Sequence, residues 1–180
     1  MFSGVGCLNS AICDNIKDKE DLRKEKIVRI ALTYVGTYEK GHNSGVVIDA
    51  LILKMKYPKG SLYCGIFLGA IFEDGGVKLK FPVGLARNWH QFSRAKLVAI
   101  GNIKVSQYTP KPGDVACFKF NSNQINHVEI VYEWPQYGMY FYTIGANTTD
   151  PDDPAPYRFK RQGIFIKKRK KSECHIVKIL

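Results

Sequence analysis

The 180-residue chain has no long apolar run, no Cys-x-x-Cys pair, no internal repeat and comparatively few acids. Its hydrophobic stretches fall far short of the roughly 18 residues a membrane span needs, so no membrane-spanning helix is expected. Residues Met1 to Cys13 lack a basic region followed by an apolar core. A Sec signal peptide is therefore not expected; synthesis is expected in the cytoplasm, with any export by another route. The five cysteines, Cys7, Cys13, Cys64, Cys117 and Cys174, form an odd set without zinc-ribbon spacing. Neither a disulfide framework nor a metal site is indicated. No linker interrupts the chain, and its 45% hydrophobic content suits one core. Residues 20–180 read as a single domain, and residues 1–19, without clear periodicity, as an arm or tail. Acids are outnumbered, 16 Asp and Glu against 27 Lys and Arg, for a net charge of +11. The plain explanation is a solvated basic surface, and the sharper one is an anionic partner such as an envelope polymer. Nucleic acid is not the expected partner, because no recognised motif accompanies the charge. The densest run, Lys167 to Lys171, reads as a turn between two paired strands.

What is present divides into helices first and strands later. A helix is expected from near Glu20, with Ile27, Ile30, Ala31 and Tyr34 at helical spacing, ending at Gly36. A second, over 46–56, has Ser44 available as a cap. A third carries Cys64 and stops at Asp74-Gly75-Gly76, and a short one falls within 84–92. Strands are expected over 115–120, 127–133, 139–144, 163–168 and 173–179. This order argues for an α+β domain with helices packed on an antiparallel sheet.

Cys64 is the residue of greatest interest. Gly60 and Ser61 read as a turn and N-cap before the apolar run Cys64 to Phe72, which puts the thiol in the first turn of a buried helix. Unpaired N–H groups and the dipole at a helix start favour a thiolate. His127 opens a strand-like segment and Asn147 follows in Ile-Gly-Ala-Asn. Cys, then His, then Asn is the order of a papain-like thiol hydrolase. A buried structural thiol, a sheet histidine and a turn asparagine are the alternative readings. Glu129, two residues along the strand, points to the same face as His127. It can share in orienting the imidazole or contact substrate. Tyr38, Asn43 and Tyr63 are further candidates for substrate or oxyanion contacts. His42 and His90 read as solvent or loop residues, Trp89 as a cleft candidate more simply explained by packing, and Cys117 as a core filler.

These segments resemble, in order, the CHAP family of cysteine-histidine amidohydrolases and peptidases, within the NlpC/P60-like, papain-like group. The resemblance runs from about residue 28 to 170. Val35 to Gly45 resembles the family's entry loop, Tyr57 to Cys64 its nucleophile segment, and Ala86 to Trp89 a recurring connecting segment. Pro110 to Phe118 resembles its Pro-Gly-Asp turn and strand, Asn126 to Val131 its His-Val-Gly-Ile-Val, and Gly163 to Arg169 its closing strand. Two positions depart. Relatives commonly carry an acid where this chain has Gly145, and a glycine where it has Glu129. The resemblance implies a papain-like fold, Cys64, His127 and Asn147 as catalytic residues, no cofactor and no metal. It also implies peptidoglycan as substrate, cleaved as an amidase or endopeptidase in the periplasm or cell wall. A phage lysin or virion-associated hydrolase fits these traits, with residues 1–19 available to dock onto a phage or injection assembly. The competing readings are a catalytically impaired structural or binding module of a phage particle, and an injected toxin acting on protein or cell-wall amides.

Overall fold

The computed structural model describes residues 6–92, 96–101, 103–104, 106–157 and 160–180. Four helices precede most of the strands: α1 (Gly6–Leu32), α2 (Val46–Lys54), α3 (Cys64–Asp74) and α4 (Ala86–Gln91). Eight strands form one sheet: β1 (Thr37–Tyr38), β2 (Lys96–Ile100), β3 (Ile103–Lys104), β4 (Val115–Phe118), β5 (His127–Glu133), β6 (Tyr140–Thr149), β7 (Gln162–Lys170) and β8 (Cys174–Lys178). The order is β1-β7-β6-β5-β4-β8-β2-β3, and every neighbouring pair is antiparallel. The architecture is α+β, as expected.

The helix α3 is the centre of the core. Every residue from Cys64 to Phe72 is buried, and its neighbours come from α1, α2, α4 and the sheet face bearing Val115, Cys117, Val128, Ile130, Ile144 and Ile164. An all-round apolar helix is stable only when enclosed this way. A smaller cluster, with Ala116, Phe118, Val131, Phe141 and Ile176, lies on the opposite face. Gly65 permits the tightest approach to α3: a Cβ there would stand 2.2 Å from the Val83 carbonyl oxygen. Trp89 Nε1 donates to that same oxygen at 2.9 Å, fixing α4 against the start of α3.

Several expectations require correction. Of the segment read as an arm or tail, residues 1–5 lie outside the described residues, and helical backbone begins at Gly6 rather than near Glu20. Neither expected serine cap forms. Gly45 occupies the N-cap of α2 while Ser44 Oγ donates to Asp49 Oδ1, and Ser61 Oγ donates to the Pro58 carbonyl instead of capping α3. The basic run is not a turn between paired strands. Lys167 to Lys170 belong to β7, which pairs with β1 and β6, whereas β8 pairs with β4 and β2. A 3-10 turn at Lys171–Glu173 carries the chain between them.

Candidate active site

Cys64 is the first residue of α3, with Tyr63 as its N-cap. The first intrahelical bond comes from Phe67 N–H to the Tyr63 carbonyl, 2.8 Å. The N–H groups of Cys64, Gly65 and Ile66 lie ahead of it, at the positive end of the helix dipole. Burial would raise the thiol's pKa. Hydrogen bonding and charge from His127, with N–H donors from Val128 and Gly65, outweigh that and lower it. Cys117, buried without such partners, is pushed upward instead.

His127 stands at the first position of β5, within reach of Cys64 from the end of the sheet. Its Nε2 lies 3.0 Å from Glu129 Oε1, which leaves Nδ1 as the nitrogen for the thiol. Burial would lower this imidazole, but its bonds and charge interactions with Cys64 and Glu129 raise it to about 9. Glu129 is fully buried and held from several sides. Arg169 donates Nε to Oε2 at 2.8 Å and Nη2 to Oε1, and Thr143 Oγ1 donates to Oε2 at 2.6 Å. Burial opposes its ionisation, but Arg169 and His127 keep it well below the usual carboxylate range. Phe120 packs beside the imidazole, with ring centroids 5.5 Å apart.

Gly145 faces Glu129 across β5 and β6. A Cβ on Gly145 would lie 2.3 Å from Glu129 Oε1. The carboxylate therefore fills the space over the glycine, and the two departures noted in the sequence are one feature.

Asn147, a catalytic residue by the family resemblance, makes its amide hydrogen bonds to partners other than the imidazole. Its Nδ2 donates to Asn43 Oδ1 at 2.8 Å and reaches Glu39 Oε1 at 3.4 Å. It sits at the β6 irregularity between Ala146 and Thr148 with φ +56°, a conformation Asn tolerates better than most residues. Tyr63 is buried, donates its hydroxyl to Glu39 Oε1 at 2.9 Å and accepts the Asn147 N–H. Asn43 is also buried, donating its Nδ2 to the Gly60 carbonyl and its N–H to Glu39 Oε2. Tyr38 spends its hydroxyl on Asp150 at 2.8 Å, under the Arg161 guanidinium. Tyr63, Asn43 and Asn147 thus tie the entry loop to the nucleophile through Glu39.

A cleft of about 340 Å³ opens beside the imidazole, lined by His127, Asn147, Phe120, Gln162, Lys167 and Arg169 among others. Glu39, Thr143, Lys167 and Arg169 were not singled out from sequence. The available signal was strand alternation through the basic run, which puts Lys167 and Arg169 on one face.

The family model described as CHAP domain matches residues 55–147, more than half of the chain. No curated protein and no solved structure matches.

Proposed function

The chain belongs to the CHAP domain family, and on that premise we propose that it is a cysteine hydrolase of peptidoglycan amide bonds, with Cys64 as nucleophile, His127 as acid–base and Glu129 as the group orienting His127. CHAP domains are in general peptidoglycan amidases and hydrolases. The observation that carries the residue assignment is the buried carboxylate held on Nε2 of an imidazole that stands near the helix-start thiol. Glu129 favours the protonated imidazole, and that cation favours the thiolate. The thiolate attacks the amide carbonyl carbon, forming a C–S bond and a tetrahedral oxyanion. N–H groups at the start of α3 suit that oxyanion. His127 gives its proton to the leaving nitrogen as the C–N bond breaks. Water, deprotonated by His127, then hydrolyses the thioester and regenerates the thiol.

Asn147 takes a positioning role in this reading, through Asn43 and Tyr63. Peptidoglycan lies outside the cytoplasm, so the working place is the periplasm or cell wall, the setting of a phage lysin or virion-associated hydrolase. The test is incubation with purified sacculi and mass spectrometry of released fragments. The wild-type protein is expected to release peptides or amidase products, and Cys64→Ala none, with an unchanged thermal midpoint. A fully active Cys64→Ala protein ends the assignment.

A further inference from the structure

The cleft beside His127 has more positive charge in its wall than the catalytic groups require. Most neighbouring cations are matched by acids. Arg169 is paired with Glu129, and Arg161 with Asp150 and Asp153. Elsewhere, buried Lys24 is paired with Asp114, and buried Lys171, away from His127, donates to the Pro135 carbonyl and lies over the Trp134 ring. Lys167 differs. It is 9% exposed, lines the cleft with His127, and donates Nζ to the Thr149 carbonyl at 2.6 Å. Among the described residues, no Asp or Glu forms an ion pair with it. Its place is fixed by β7: Lys167 faces Thr143 across the β6 ladder, and Thr143 is the residue whose hydroxyl holds Glu129.

An ammonium taken out of water and given only a carbonyl is costly unless another partner arrives. Burial and the nearby Arg169 charge disfavour the protonated lysine, and the charges of Glu129 and Asp150, neither of them in an ion pair with it, offset this only in part. An incoming anion relieves both effects, and the cleft is open to receive one.

We propose that Lys167 is a carboxylate-binding residue of the substrate cleft, its ammonium receiving an acidic group of the peptidoglycan stem peptide beside the scissile amide. The inference rests on the peptidoglycan reading above, and it names what that substrate must carry. Free stem carboxylates fit, and amidated ones lose the charge-assisted bond.

Binding separates this inference from catalysis. In the Cys64→Ala background, a stem tetrapeptide with all carboxylates free is titrated calorimetrically at about 0.3 M salt, where diffuse attraction is screened. The same peptide with every carboxylate converted to carboxamide is titrated alongside. The acid form is expected to bind at least about ten-fold tighter, the size of one charge-assisted hydrogen bond. Lys167→Met in that background is expected to bring the acid down to the level of the amide. Equal affinities with Lys167 present, a preference that survives Lys167→Met, or no binding of either peptide would each overturn the proposal. The comparison of the two peptides needs no variant at Lys167, so poor folding of Lys167→Met leaves the test intact. Absence of sacculus cleavage would count against the catalytic assignment and leave this binding result standing.

Discussion

Glu129 and Gly145 occupy facing positions on β5 and β6, and the space between them admits one carboxylate. The family resemblance implies the reverse arrangement, with the acid at position 145 and the glycine at position 129. Here the acid rises from the first strand and crosses over the glycine to meet Nε2 of His127. Restoring the acid by Gly145→Glu alone is therefore expected to lower activity, because its Cβ meets Glu129 rather than a vacancy. Glu129→Gln keeps the shape and removes the charge that favours the imidazolium. Turnover is expected to fall by roughly 10²- to 10⁴-fold, the range for acid–base partners and their orienting acids. The sign of the pH effect follows from His127. With the imidazole raised to about 9, the active ion pair is expected to persist well above neutral pH and to be lost as His127 gives up its proton. Without Glu129, that alkaline limb moves to lower pH. The exchange Glu129→Gly with Gly145→Glu is expected to be more active than either single variant. Rate profiles from pH 5 to 10, with thermal midpoints for each protein, check these outcomes. Equal activity of Glu129→Gln and wild type would remove Glu129 from the mechanism.

At the scale of elements, α4 meets the sheet through two imidazoles. His175 Nδ1 on β8 lies 2.9 Å from His90 Nε2 on α4, so one ring donates and the other accepts. Burial lowers both pKa values, with Lys119 adding to the effect on each and His90 adding to that on His175. A histidine depressed in the folded state binds its proton more readily when unfolded. Its contribution is present above about pH 6.5 and is lost as pH falls through the folded-state value. The thermal midpoint is expected to drop between pH 7.5 and 5.5, and to drop less in His175→Gln, which cannot titrate. Identical slopes for the two proteins would remove the pair as a cause. Sequence gave no warning of this contact, because His90 sits in a short helix and its partner lies 85 residues on. The same distance effect governs what else was legible. The apolar run of α3 and the strand around His127 declare themselves by local pattern, and period two put Glu129 beside His127. Arg169 and Thr143, which make Glu129 a fixed carboxylate, arrive by strand pairing alone. Strands β1 and β3, two residues each, exist only against β7 and β2. Charge density disguised the basic end of β7 as a turn, although its alternation already separated Lys167 and Arg169 from Lys168 and Lys170. Chain order makes Asn147 a catalytic candidate but says nothing of the left-handed kink that turns its amide toward Asn43.

The whole molecule carries +11. Glu129, Asp114, Asp150 and Asp153 are buried against cations, while Lys168 and Lys170 project outward from β7. The outer surface therefore stays strongly positive. Such a surface raises the rate of encounter with an anionic envelope and contributes little to fold stability. Its reach is the Debye length, about 10 Å at 0.1 M salt and about 3 Å at 1 M. Solubilisation of sacculi is expected to slow as salt rises from about 0.05 to 0.5 M. Hydrolysis of a small uncharged amide substrate, which needs no steering, is expected to stay nearly level over that range. Lys168→Gln with Lys170→Gln should flatten the salt dependence on sacculi without altering turnover of the small substrate, since neither side chain lines the cleft. Parallel salt curves for both substrates would assign the effect to the active site instead of the surface. A salt-insensitive rate on sacculi would mean that the positive surface serves some purpose other than approach to the wall.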